Sequence, residues 1–218
     1  GMDRFGKIDV LLNNAGFGVF GPIESTPLEK IREQFETNVF GLLATTKVLL
    51  PIFRKNRAGM IINVSSVAGK ITFPLGSLYH GTKFAIEGIS EALSFEMAEI
   101  GVKVKIVEPG AIRTNFNFVF MNDESISEYQ KMSGMLQEFS KSLMKNGADP
   151  MEVAEVIYRA ATDGTDQLRY VSGRDAEELL ADAVDRQSAR PASRFHAGDL
   201  RELFDERAAK GDATHAIV

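Results

Sequence analysis

Three short runs of the chain are apolar almost without interruption: residues 8–13, 60–65 and 102–108. A strand with one wet face alternates apolar and polar side chains. A strand apolar at successive positions has both faces covered, as in parallel sheets flanked by helices. A weaker run of the same kind spans residues 168–172. Helical stretches separate these runs. The first covers residues 28–55, with Ser25-Thr26-Pro27 as cap and first-turn proline and a break near Pro51. The others cover residues 79–100, ended by Gly101, then 150–162 and 175–185. Strands alternating with helices imply βαβ units, so the expected fold class is α/β with a doubly wound parallel sheet.

The 218 residues, 44% hydrophobic, suit one domain with a sizeable core. Residues 1–190 are assigned to that domain, and 191–218 to a polar C-terminal tail with a short amphipathic piece at 199–208. A net charge of −5 gives no support for binding nucleic acid or an anionic membrane. No apolar run reaches the roughly 18 residues of a membrane span, and no signal peptide is visible. The absence of cysteine rules out disulfides and thiolate metal sites, and it fits a reducing, cytoplasmic setting. His80, His196 and His215 form no metal-ligand spacing. Asn63-Val64-Ser65 spells a glycosylation sequon but lies in an apolar strand, so it is discounted. Gly1 ahead of Met2 reads as the remnant of a cleaved tag.

Gly16-x-Gly18-x-x-Gly21 spells a dinucleotide fingerprint and follows the first strand. In a working fingerprint the strand runs directly into a helix, whose N-terminus meets the pyrophosphate. Here Pro22 follows Gly21, and the helix cap comes only at Ser25. The acidic residue expected about 20 positions on should end a strand, whereas Glu33 and Glu36 fall within a helix. These glycines are expected to form a flexible loop.

A different set carries chemistry. Tyr79 and Lys83 are four apart on a helix and face the same way. An ammonium near a phenol favours the phenolate and lowers its pKa from about 10, which suits a general acid or base. Ser66 lies just past a strand's carboxyl end, where open α/β sheets bind ligands. Asn38 is a short polar side chain in mid-helix, an unfavourable place for one. Pro109-Gly110 closes the third strand and Thr114 follows.

Together, Asn13-Asn14-Ala15-Gly16, Asn38 in an N-x-x-G setting, Ser66, Tyr79-x-x-x-Lys83 and Pro109-Gly110-x-x-x-Thr114 resemble the short-chain dehydrogenase/reductase family, in order and in spacing. The resemblance covers residues 5–116 strongly and continues to about 180. It implies a Rossmann-like sheet and a nicotinamide cofactor, NADP or NAD, with NADP slightly preferred. By resemblance, Tyr79 exchanges a proton with the substrate oxygen, and Ser66 positions that oxygen. Lys83 lowers the Tyr79 pKa and binds the nicotinamide ribose. Asn38 holds a water in a proton relay. Asn13, Asn14, Ala15 and Gly16 lie near the adenosine part of the cofactor, and Pro109, Gly110, Ile112 and Thr114 lie by the nicotinamide. Plainer roles stand beside these. Ser66 also suits a strand-end cap, and Asn38 a buried amide bridging neighbouring strands. Asn13 and Asn14 also suit a sheet-end brace, and Thr114 a helix cap.

The chain departs from the family at its front. The family's own glycine-rich loop and the strand that discriminates NAD from NADP precede the Asn-Asn-Ala-Gly motif, and here residues 2–7 look like the end of the preceding helix and its turn. With the family's N-terminal strands missing, residues 8–13 are expected to form an exposed apolar edge, and this chain alone to bind the cofactor poorly. Residues 115–148 correspond to a substrate lid. They are rich in Phe and Met, among them Phe116, Phe118, Phe120, Met121, Met132, Met135 and Phe139, which suits either a lipophilic ketone, aldehyde or alcohol or plain helix packing. The helices at 28–55 and 79–100 correspond to those that pair between family subunits, which implies a homodimer or homotetramer. The rival expectation is a non-catalytic family member acting only as an assembly partner. An extended sugar-nucleotide epimerase is disfavoured, because only 104 residues follow Thr114.

Overall fold

The computed structural model describes residues 2–189. Its elements are α1 (Met2–Phe5), β1 (Val10–Asn13), β2 (Gly18–Phe20), α2 (Leu28–Phe35), a π-turn (Glu36–Phe40), α3 (Gly41–Asn56), β3 (Gly59–Val64), a 3-10 turn (Val67–Gly69), α4 (Ser77–Ala98), β4 (Val102–Pro109), β5 (Phe118–Phe120), α5 (Ser127–Asn146), α6 (Pro150–Thr162), β6 (Arg169–Ser172) and α7 (Arg174–Ala189). The main sheet has the order β1-β3-β4-β6, and every pair in it is parallel. The expected α/β class, a doubly wound parallel sheet, is what the chain forms.

Successive residues of β3 show why its sequence is apolar throughout. Ile61 packs with Phe53 of α3 and Met97 of α4, while Ile62 packs with Val107, Tyr170 and Ala160 of α6. Neighbouring strand side chains point to opposite faces, and helices cover both. Lys105 interrupts the apolar run of β4, yet it is fully buried. Its ammonium is satisfied by the Tyr170 hydroxyl at 2.7 Å, the Thr165 carbonyl at 2.7 Å and Asp163 at 3.6 Å. A buried charge is tolerated when paired and hydrogen-bonded in this way.

Strand β1 is the sheet's edge, and Val10 and Leu12 are 41% and 43% exposed. Helix α1 ends at Gly6, whose φ of 71° closes the turn into β1. Pro51 does not break its helix, because α3 runs through it. The long stretch is interrupted earlier, at the π-turn. The cap expected at Ser25-Thr26 is absent. Pro27 takes that place with no side-chain bond, and the Ser25 and Thr26 hydroxyls both donate to the Pro22 carbonyl.

Two elements had no counterpart in the sequence reading. β2 and β5 form a separate two-stranded parallel sheet, pairing Val19 with Val119. It joins the glycine segment to residues 115–148, within which α5 also forms. The tail at 191–218, with its 199–208 piece, lies outside the described residues.

Candidate active site

The carboxyl ends of β1, β3 and β4 converge, and each carries part of the expected set. Ser66 lies two residues past β3, in extended conformation. Its Oγ accepts from the Ala68 N–H at 3.1 Å, capping the 3-10 turn, and donates to the Pro109 carbonyl at 3.3 Å. It is also near enough to the Tyr79 hydroxyl to favour its ionised form. The strand-end cap and the contact with Tyr79 therefore coexist in one side chain.

Tyr79 stands in the first turn of α4, among aromatic rings. Phe20 lies 5.3 Å and Phe116 5.8 Å away, centre to centre. Burial pushes its hydroxyl up to about 12, and the Ser66 hydrogen bond pulls the other way. This corrects the expectation of a pKa lowered by Lys83. The Lys83 ammonium lies 5.7 Å from the Tyr79 ring centre and donates to the Val64 carbonyl at 3.0 Å. Desolvation outweighs attraction at that distance. Lys83 is itself buried, which lowers it to about 8 against the pull of Glu87.

Asn38 lies in the π-turn, fully buried. Its Oδ1 accepts from the Phe17 N–H at 3.1 Å, and its Nδ2 donates to the Phe17 carbonyl at 2.8 Å and the Thr82 hydroxyl at 3.1 Å. It is a structural amide, but it ties the loop after β1 to α4 rather than one strand to another. A π-turn lets the polar side chain leave the helix sideways, which is why such turns recur at functional positions.

Asn13 braces the sheet end. Its Nδ2 donates to Asn63 Oδ1 at 2.8 Å and Thr46 at 3.2 Å, and its Oδ1 accepts from Thr45 at 2.7 Å. Asn63 passes the chain on to Ser90 at 2.8 Å and is fully buried, as the discounting of its sequon requires. Asn14 and Ala15 are exposed. Gly16 sits where an added Cβ would come 3.2 Å from Asn38 Oδ1.

Past β4, the Gly110 N–H donates to the Ser172 carbonyl at 2.9 Å, and the Ala111 N–H donates to Asp175 at 2.7 Å. Ile112 bridges to Ala148. The Thr114 hydroxyl accepts from the Phe116 N–H at 3.2 Å and holds a turn leading to β5. No helix begins there, so the helix-cap role is overturned.

The fingerprint glycines serve the pairing of β2 with β5. A Cβ at Gly18 would meet the Phe20 ring at 2.4 Å, and one at Gly21, with φ 148°, would meet the Met121 carbonyl oxygen at 2.2 Å. The segment is an ordered strand rather than a flexible loop, and it pairs with β5 instead of opening a helix. Sequence reasoning also missed His80, inside the Tyr-Lys motif. It is buried, with Nδ1 2.8 Å from the Ala68 carbonyl and Nε2 accepting from the Phe73 N–H at 3.0 Å. Burial holds its pKa below the ordinary value, so it braces the loop around Ser66 as a neutral imidazole.

The residues fit the nicotinamide-ribose half of a dinucleotide. Lys83 carries three donors, and the Val64 carbonyl takes one. The remaining donors suit a ribose diol. Among the described residues, no helix is long and apolar enough to cross a membrane.

The short chain dehydrogenase family model matches residues 2–124, more than half of the chain. An uncharacterized oxidoreductase of Schizosaccharomyces pombe is 52% identical over 180 residues, covering 83% of this chain and 76% of the relative. A 3-ketodihydrosphingosine reductase of Bacteroides thetaiotaomicron is 39% identical over 186 residues, covering 81% and 66%. The solved structure of ElxO with NADP bound superposes with a TM-score of 0.60 at 29% identity, covering 78% of this chain and 68% of that one.

Proposed function

Because the chain belongs to the short-chain dehydrogenase/reductase family, we propose that it is an NAD(P)-dependent oxidoreductase acting on a lipophilic ketone, aldehyde or alcohol, with Tyr79 as its general acid/base. The observation that carries this reading is the placing of Ser66 and Tyr79 side by side at the carboxyl end of the sheet, one helical turn from Lys83, whose ammonium lies 5.7 Å from the Tyr79 ring centre.

The bound nicotinamide supplies or accepts the hydride. Tyr79 gives a proton to the carbonyl oxygen in reduction and takes it back in oxidation. A hydroxyl held near about 12 is protonated at neutral pH, the form a general acid needs. Ser66 hydrogen-bonds the same oxygen and orients it. Lys83 binds the ribose hydroxyls through its two remaining donors, with Pro109, Gly110, Ile112 and Thr114 beside the nicotinamide and residues 13–16 near the adenosine part. Asn38 shapes the loop beneath and serves the proton relay. The NADP-bound relative supports NADP, with NAD as the other candidate.

The rings beside Tyr79 argue for an apolar substrate: Phe20 and Phe116 pack on it, and Phe118 packs on both of them. The similarity to a reductase named for a long-chain keto lipid points the same way. No observation favours the non-catalytic assembly partner. The test is a carbonyl screen with NADPH and NADH at millimolar cofactor. The expected result is turnover of long-chain or ring ketones well above short polar ones. Equal turnover of both classes would remove the lipophilic assignment.

A further inference from the structure

Behind Lys83 lies a layer of charge that the reaction as described does not use. Glu87, one turn further along α4, is only 5% exposed, and Glu108 at the end of β4 only 2%. The Glu87 carboxylate is near enough to oppose ionisation of Glu108. Arg169 of β6 donates to Glu87 Oε2 at 3.0 Å and to Glu91 at 2.6 Å, and its Nε lies 3.4 Å from Glu108. Lys70 approaches Glu87 at 4.0 Å. Glu87 Oε1 is buried with no hydrogen-bond donor. Three carboxyls thus meet two outer cations, Arg169 and Lys70, and of the three Glu87 is buried and shares the helix of Lys83. Lys83, one turn before Glu87 on α4, is the buried cation on the inner side. Its ammonium sits on the Val64 carbonyl and beside Tyr79, beyond ion-pair distance of Glu87, so the two act on each other through space.

A buried ammonium surrounded only by neutral groups sheds its proton readily. A buried carboxylate one turn away opposes that loss. We propose that Glu87 is a positioning residue for the reaction: through Lys83 it sets the pH above which the site stops working, while Arg169 and Glu108 temper its charge. The proposal rests on Lys83 belonging to the active site. The direction of each effect follows from charge. Glu87 raises Lys83 toward its ordinary value, against the desolvation that lowers it to about 8. Burial and the neighbouring Glu87 carboxylate raise Glu108 to about 7, against Lys70 and Arg169.

The experiment is an NMR titration of protein labelled at the lysine ε-carbon, with Lys83 assigned by the signal lost in Lys83→Arg. It is run without cofactor or substrate. Glu87→Gln is expected to move the Lys83 midpoint down by about one pH unit. Arg169→Gln, which frees Glu87 from its partner, is expected to move it up. Glu87→Asp is expected to restore the wild-type value, which a merely structural role would not predict. An unchanged midpoint in folded Glu87→Gln overturns the proposal, as does an equal downward shift in Glu108→Gln. If Glu87→Gln does not fold, an unchanged midpoint in Arg169→Gln overturns it. Because the midpoint is read without turnover, a shifted midpoint in protein that reduces no carbonyl would leave this link standing and remove the oxidoreductase reading instead.

Discussion

At the scale of single residues, the site is a competition between burial and charge. Tyr79 is held protonated and Lys83 is held near the edge of losing its proton, both because water is excluded from them. The sign of the pH effect follows. The Lys83 ammonium is present below its folded value and lost as pH rises through about 8. Carbonyl reduction, followed as kcat/KM against pH, should therefore fall above about 8, and a profile flat to well above that value would contradict the assignment. Ser66 links three parts of the site, so Ser66→Ala should act on both stability and rate. Leaving the Ala68 N–H and the Pro109 carbonyl without their partner should cost about 1–3 kcal/mol in urea unfolding, and kcat/KM should fall more than KM rises. A stable variant of full activity would return Ser66 to the role of a cap. The Tyr-Lys-Ser set was legible because each residue sits at a fixed spacing on a recognisable element. The charge layer of Glu87, Glu108 and Arg169 was not, because its members meet only when α4, β4 and β6 pack.

At the scale of elements, the apolar runs announced β1, β3 and β4 because a strand buried on both faces leaves that mark locally. β2 and β5 left none. Each is three residues long, and each is ordered by a partner about a hundred positions away. The glycines at 18 and 21 read as a loop for the same reason, since their constraint is the approach of Phe20 and Met121. The oddity of Asn38 was visible in the sequence, but its partner at Phe17 was not, because the π-turn that aims it has no sequence period of its own. The small sheet makes a specific prediction. Gly21→Ala places a Cβ against the Met121 carbonyl at a φ that favours glycine. It should destabilise the protein by about 1–3 kcal/mol and loosen β5, measured as faster amide exchange at Val119 and Phe120. Unchanged exchange would mean that the small sheet does not depend on this pair.

At the scale of the whole molecule, two surfaces stand out. One is the β1 edge. The other runs along the π-turn, α3 and α4, where Val48 and Phe95 are each 71% exposed and Phe40 and Phe84 are also open. These are the helices that the family resemblance marks for pairing, and we expect a homo-oligomer through them. Phe95→Glu should shift the mass by light scattering toward the monomer with the fold intact, and an unchanged mass would place the interface elsewhere. All of this matters only if Tyr79 performs the chemistry. The most direct measurement is therefore turnover of a lipophilic ketone by the wild-type chain and by Tyr79→Phe at millimolar NADPH. Removing one hydroxyl while keeping the ring among Phe20 and Phe116 should lower kcat/KM by roughly 10²–10⁴-fold with unchanged thermal stability. Equal rates in the two proteins would contradict the account.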